Sequence, residues 1–297
     1  MTVPSSPSLN CLDLTIAGIC IRIESDFELK KSEEFLPFFQ CHKEPDVGIR
    51  FRQVIQLPPY PTQAIYKGDC YCVYPDGKGG YLRTFSDTPL TQSTYAVATY
   101  DYDRGQVYVD YLPKGIPFVS DLHNCFFHLG FEAVLIHFRR LCLHASCVNT
   151  ALGGILFSGV SGIGKSTQAN LWCNYRNAVQ INGDRPILVH AQNAWFACGS
   201  PYAGSSRIHT NASCPVTAIV MLKQAHTCSL RRLSLPEAFR AIWSGLTMHS
   251  WNEKLVALAS DLTIDLVSTV PVFEFACTPN ETAVSYLEQE LRKECRL

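Results

Sequence analysis

Two rhythms of apolar and polar residues divide the chain. Up to about residue 118 the spacing is that of β-strands. LDLTIAGICIRIES (12–25) and DVGIRFRQVIQL (46–57) alternate in stretches and are dense in β-branched residues. YAVATYDYDRGQVYVDYL (95–112) reads as a hairpin turning at Asp103-Arg104-Gly105, and LPPYPTQ (57–63) and YPDGKGGY (74–81) supply turns. Residues 119–140 predict a connecting helix. Within it CFFHLGFEAVLIHF (125–138) is largely apolar and is followed by Arg139 and Arg140, which suit the negative end of a helix dipole. From Leu141 the pattern becomes short buried strands: LCLHASCVN (141–149), GGILFSG (153–159), AVQINGD (178–184), RPILVH (185–190) and TAIVMLKQ (217–224). A helix from Lys165 to about Tyr175 lies among them. The tail predicts helices. Ser234-x-x-Glu237 is a capping-box pattern, and Thr278-Pro279-Asn280-Glu281 combines an N-cap, a proline at the first helical position and a capping glutamate. The division is a β-rich accessory domain over 1–118, a connecting helix over 119–140 and an α/β domain over 141–297.

Composition narrows the partners. Of 297 residues, 47% are apolar and 17% charged, with a formal net charge of −1 and no long basic run. A globular chain of one or two domains follows, and nucleic acid is not expected as a partner. No apolar run reaches the ~18 residues of a membrane-spanning helix, so no membrane partner is expected either. Fourteen cysteines are scattered without a C-x-x-C pair, and the opening MTVPSSPSLN lacks the basic and apolar segments of a secretory leader. A reduced, cytoplasmic interior with buried thiols is therefore expected. Cys70-x-Cys72 and Cys142-x-His144-x-x-Cys147 lack zinc-finger spacing.

Chemistry concentrates at one place. Gly159-Val160-Ser161-Gly162-Ile163-Gly164-Lys165-Ser166-Thr167 satisfies the Walker A pattern G-x-x-x-x-G-K-[ST], between an apolar strand and an amphipathic helix. Glycines let successive backbone N–H groups turn inward on a phosphate, and the helix N-terminus adds its dipole. Lys165 can reach the outer phosphates, and the Ser166 hydroxyl can ligate Mg²⁺. These residues predict a bound nucleoside triphosphate. Asp184 follows nineteen residues after Lys165, at the carboxyl end of a strand expected beside that of the loop. There it can hold Mg²⁺ or take a proton from an attacking hydroxyl; its bland alternative is a turn aspartate before Pro186. Arg185 has three readings: a partner of Asp184, a phosphate contact, or a solvated charge. His144, between Leu143 and Ala145, is read either as a satisfied core group or as an acid–base partner.

The order LHA, strand, GVSGIGKST, short helix, INGDRPIL, CGSPYAGSS and PVTAIVMLKQA resembles the HPr kinase/phosphorylase-like and ATP-dependent phosphoenolpyruvate carboxykinase-like group of P-loop proteins. The resemblance covers about 141–290 and is nearest to stand-alone relatives associated with peptide modification. It implies a P-loop kinase/carboxykinase-like mixed α/β sheet with a helical tail, using ATP and Mg²⁺ to phosphorylate a serine hydroxyl of a peptide or small protein. Self-association, which relatives practise in different ways, is a further implication. By position, Lys165 resembles the phosphate-binding lysine, Ser166 the metal-side hydroxyl, and His144 the histidine before the P-loop strand. Asp184 resembles the second of the family's paired aspartates, and Gly183 stands where the first usually is. Tyr202, Gly204 and Arg207 match the loop that lies by the phosphates or the acceptor. Three functions follow: a kinase, a catalytically silent nucleotide-binding scaffold favoured by Gly183, and a small-acid carboxykinase disfavoured by the scarcity of arginine near the motifs.

Overall fold

The computed structural model describes residues 9–41, 43–87 and 93–296. They form a mixed α/β structure whose backbone falls into two compact units, Met1–Val134 and Leu135–Leu297.

The first unit is built on one eight-stranded sheet. Its strands are β1 (Asn10–Ile16), β2 (Ile19–Ser25), β3 (Val47–Gln53), β4 (Tyr66–Lys67), β5 (Tyr71–Pro75), β6 (Tyr81–Ser86), β7 (Thr94–Asp101) and β8 (Gln106–Tyr111), in the order β1-β2-β3-β8-β7-β6-β5-β4. The expected single run at 12–25 is a hairpin, because Ala17 and Gly18 both take positive φ and turn the chain between β1 and β2. The expected long helix at 125–138 is broken as well. After the short α1 (Ile116–Val119), α2 (Leu122–Leu129) ends where Gly130 caps it at φ 69°, and α3 (Phe131–His137) starts a new helix. Cys20 and Cys41 form a disulfide across a Cα–Cα distance of 6.0 Å, an exception to the expected reduced interior with buried thiols. The remaining twelve cysteines are not disulfide-bonded.

Two charged-type side chains, Arg83 and His128, are buried among the described residues of this unit. Arg83, 2% exposed, rests its guanidinium on the rings of Tyr71 (4.3 Å) and Phe127 (5.1 Å) and donates to the Phe127 carbonyl at 3.1 Å. His128 is fully buried; its Nδ1 donates to the Asn124 carbonyl at 2.5 Å, which leaves Nε2, 3.0 Å from the Tyr95 hydroxyl, to accept. Burial pushes His128 down to about 3. As pH falls through ~6.5 an unfolded chain binds this proton and the folded chain does not, so the unfolded state gains and stability drops. Between pH 8 and pH 5 the loss from this residue is about 2 kcal/mol. Urea titrations along that range are expected to show a stability slope that flattens in His128→Gln; an unchanged slope would exclude His128 as its source.

The second unit is a three-layer α/β arrangement. In chain order it holds β9 (Arg140–Cys142), β10 (Ala145–Thr150), β11 (Gly153–Ser158), α4 (Lys165–Arg176), β12 (Val179–Asn182), β13 (Ile187–Ala191), β14 (Ala194–Cys198) and β15 (Ser213–Gln224). β16 (Ser229–Arg232), α5 (Leu235–Gly245), α6 (Glu253–Thr269), β17 (Val272–Cys277) and α7 (Glu281–Glu294) complete it. Strands run β12-β10-β11-β15-β14-β13-β9, and β17 joins the sheet by pairing with β15 and β16. β11, β15 and β17 are mutually parallel where they pair, so their carboxyl ends share one edge. Period-two alternation sends Leu156 and Ile219 to the layer with Ile242 and Leu262. Phe157 and Val220 go to the opposite layer with Trp172 and Leu287.

Local signals account for the helix starts. The Ser234 N–H and hydroxyl both bond the Glu237 carboxylate (2.9 and 2.7 Å), closing the capping box of α5. The cap of α7 is Asn280, whose Oδ1 accepts from the Ala283 N–H at 3.0 Å; Pro279 lies outside the helix, and the Thr278 hydroxyl bonds the Ala225 carbonyl instead. This moves the predicted cap from Thr278 to Asn280. No helix among the described residues is long and apolar enough to cross a membrane.

Candidate functional site

The glycine-rich loop leaves β11 at Ser158 and enters α4 at Lys165. Three glycines make that path, at φ 139° (Gly159), 80° (Gly162) and 112° (Gly164), where a side chain would be strained. A Cβ on Gly159 would also press Ile163 and the Leu222 backbone at 3.3–3.4 Å, so the loop passes over the carboxyl end of β15. Gly162 and Gly164 face open space, leaving a cradle of accessible backbone. Lys165 is buried and its Nζ donates to the carbonyls of Gly159 and Val160 at 3.3 and 3.4 Å, which places the ammonium inside the curl. Ser166 and Ile163 are half-buried, while Ser161 and Thr167 are exposed on the loop and the first helical turn.

His144 sits in a break between strands. The expected continuous strand 141–149 divides because Leu143 bridges Leu246 from the end of α5, the Gly245 carbonyl accepts from the His144 N–H at 2.8 Å, and the Ser158 hydroxyl bonds the His144 carbonyl at 2.8 Å. The break leaves the imidazole facing Asp184, with Nε2 3.2 Å from Oδ1. Asp184 also meets the Nε of Arg185 at 3.4 Å through Oδ2, and Arg185 donates to the Thr247 hydroxyl. Of the three readings of Arg185, the contacts describe the partner of Asp184. Burial, and then the nearby Lys165 charge, lower His144 below the usual histidine range against the opposing pull of Asp184. The imidazole is then neutral at pH 7, and its Nε2–H donates to Asp184. Burial likewise lowers Lys165, with Asp184 pulling it back. The charges of Lys165 and Asp184 thus pull His144 in opposite directions.

The turn that presents Asp184 is stapled by residues the sequence reading did not single out. Fully buried Asn182 accepts from the N–H groups of Asp184 (3.0 Å) and Arg185 (2.7 Å) and donates to Ser200. Ser146 donates to the Gly183 carbonyl at 2.8 Å, and Ser200 to the Arg185 carbonyl at 2.7 Å. An Asn at a strand end readily bonds the backbone N–H two residues on, as in an Asx turn, and that tendency with Gly183 next in sequence could have flagged Asn182; Thr247, Ser158 and Ser200 carry no local signal. In the predicted acceptor loop, Gly204 packs directly on Asp184. Tyr202 is held at the loop's foot by its N–H to Ser200 Oγ at 3.2 Å. Arg207 is exposed and takes the left-handed conformation at φ 54°.

No cluster of three His, Cys, Asp or Glu side chains suited to a metal occurs among the described residues. No family model matches the chain, and no curated protein matches it. Among solved structures the chain is similar to the Hpr(Ser) kinase/phosphatase from Coxiella burnetii, at 13% identity and a TM-score of 0.31, over 52% of this chain and 95% of that one. At that level of likeness the functional reading rests on the geometry of the site itself.

Proposed function

We propose that this protein is an ATP-dependent phosphotransferase that moves the γ-phosphoryl group to a hydroxyl, with serine of a peptide or small protein as the acceptor. The observation that carries this reading is the meeting of two separately encoded elements. The glycine loop that ends in Lys165 leaves β11 at Ser158, and the Ser158 hydroxyl bonds the His144 carbonyl at 2.8 Å, so the Asp184–His144 pair (Nε2–Oδ1 3.2 Å) stands beside the root of that loop.

The loop's backbone donors and Lys165 hold the triphosphate. The Ser166 hydroxyl and Asp184 carboxylate fit Mg²⁺, a hard cation that takes few protein oxygens and keeps several waters; when bound it supplies positive charge against the phosphates. Asp184 orients the acceptor hydroxyl and receives its proton. The acceptor oxygen forms its bond to the γ-phosphorus as the bond to the β–γ bridging oxygen breaks, and ADP leaves. Neutral His144 holds Asp184 through Nε2–H, and Arg185 flanks the other carboxylate oxygen. Such chemistry is mostly positioning and electrostatics, which these groups provide.

A silent nucleotide-binding scaffold is the second reading, favoured by the missing side chain at Gly183. ADP release measured with Mg²⁺ and ATP, with and without serine-containing peptides, separates the two. Acceptor-dependent ADP release supports transfer; tight ATP binding with no ADP after long incubation supports the scaffold and overturns the kinase.

A further inference from the structure

Gly183 lies directly before Asp184, and its surroundings give the glycine there a physical cause. A Cβ built on Gly183 would lie 1.6 Å from Ser206 Oγ, 2.6 Å from Ser206 Cβ and 3.1 Å from the Ala203 carbonyl oxygen. Gly183 is not among the residues with positive φ, so the backbone does not require glycine there; the space does. Across the same contact, a Cβ on Gly204 would lie 2.8 Å from Asp184 Cβ and 2.9 Å from its Cγ. Each segment therefore carries a socket for the other's side chain: Gly183 receives Ser206, and Gly204 receives Asp184.

The interlock is anchored on both sides. Ser206 Oγ donates to the Ala203 carbonyl at 2.7 Å and accepts from the Ile208 N–H at 3.2 Å. The Gly183 N–H donates to the Ile208 carbonyl at 3.1 Å, and Asn182 bridges His209. Asp184 is thus bounded by the Gly204 backbone on one flank, His144 at Oδ1 and Arg185 at Oδ2.

We propose that Ser206 and Gly204 are positioning residues that fix the Asp184 carboxylate, and that Gly183 is a required socket for Ser206 rather than a lost catalytic acid. This rests on the reading of Asp184 as the residue that receives the acceptor's proton. A site built this way works with one carboxylate, and an added acid at 183 drives the 203–208 segment off Asp184.

The test is a set of variants read by phosphoryl-transfer kinetics and by amide hydrogen exchange over 203–208. Gly183→Ala is expected to lower kcat on the order of a hundredfold, as an ångström-scale misplacement does. The dissociation constant for ATP without Mg²⁺ stays near wild type, because the glycine loop is untouched, and exchange over 203–208 speeds up. Ser206→Gly added to Gly183→Ala empties the socket and recovers part of both readouts, short of wild type because the Ser206 bonds to Ala203 and Ile208 are gone. Ser206→Ala added instead does not, because its Cβ still stands 2.6 Å from the new methyl. Gly183→Asp lowers turnover. A Gly183→Asp variant that gains turnover, or a Gly183→Ala variant with wild-type kcat and exchange, overturns the proposal. If Gly183→Ala does not fold, a folded double variant with Ser206→Gly is the same rescue, and a double variant that also fails to fold counts against the proposal. If wild type transfers no phosphate, the exchange readouts still decide the interlock and only the kinase reading falls.

Discussion

Asp184→Asn is expected to lower the rate of phosphoryl transfer by about a hundred- to ten-thousandfold, the range for loss of a positioned proton acceptor. The substitution is nearly isosteric, and the backbone bonds from Asp184 N–H and Arg185 N–H to Asn182 do not involve the replaced group. The turn therefore persists. What changes is the pattern of donors: His144 Nε2–H and Arg185 Nε both point at the carboxylate oxygens. An amide offers one oxygen and one NH₂, so one of these donors meets another donor. The loop's hold on the phosphates does not involve Asp184, so calorimetric titration with ATP in the absence of Mg²⁺ should give nearly the wild-type constant. A variant that loses affinity and rate together would place Asp184 in nucleotide holding alone.

Lys165→Ala carries the opposite signature: binding is lost first. A charge-assisted bond to phosphate is worth about 2–3 kcal/mol, so the dissociation constant for ATP should rise about thirty- to more than a hundredfold. Lys165→Arg should not restore it. The planar guanidinium does not fit a point-charge role beside the Gly159 and Val160 carbonyls, which one ammonium reaches together. Calorimetry on both variants, with thermal melts to confirm folding, gives the comparison. Wild-type ATP affinity in a folded Lys165→Ala protein would remove the loop from nucleotide binding.

Much of this site is local in sequence and was legible there. The glycine loop carries its chemistry in nine consecutive residues, and the helix it opens begins at Lys165 as the pattern predicts. Asp184 was singled out by its distance from Lys165 on the expectation that its strand lies beside that of the loop; β10 instead lies between β12 and β11, and Asp184 meets His144 just before that intervening strand. The parts that were not legible depend on residues distant along the chain. The strand at 141–149 breaks at His144 because Leu246 and Gly245 return from the far end of α5, and no periodicity in the strand itself foretells that. Gly183 reads as a missing acid until Ser206 is seen filling its space. Elsewhere, a glycine inside an apolar run was outweighed by the apolar pattern and yet ended α2 at Gly130. The Cys20–Cys41 bridge joins two of fourteen scattered cysteines, a pairing that spacing does not select.

The central claim is that one site both holds the triphosphate and passes its γ-phosphoryl on. A single-turnover experiment, with protein in excess over γ-labelled ATP and serine peptides present, tests it most directly by locating the label. Wild type is predicted to move label from nucleotide to peptide. Asp184→Asn should retain it on bound ATP, and Lys165→Ala should leave it on free ATP. Label that stays on tightly bound ATP in the wild-type protein, whatever hydroxyl acceptor is supplied, would contradict the account.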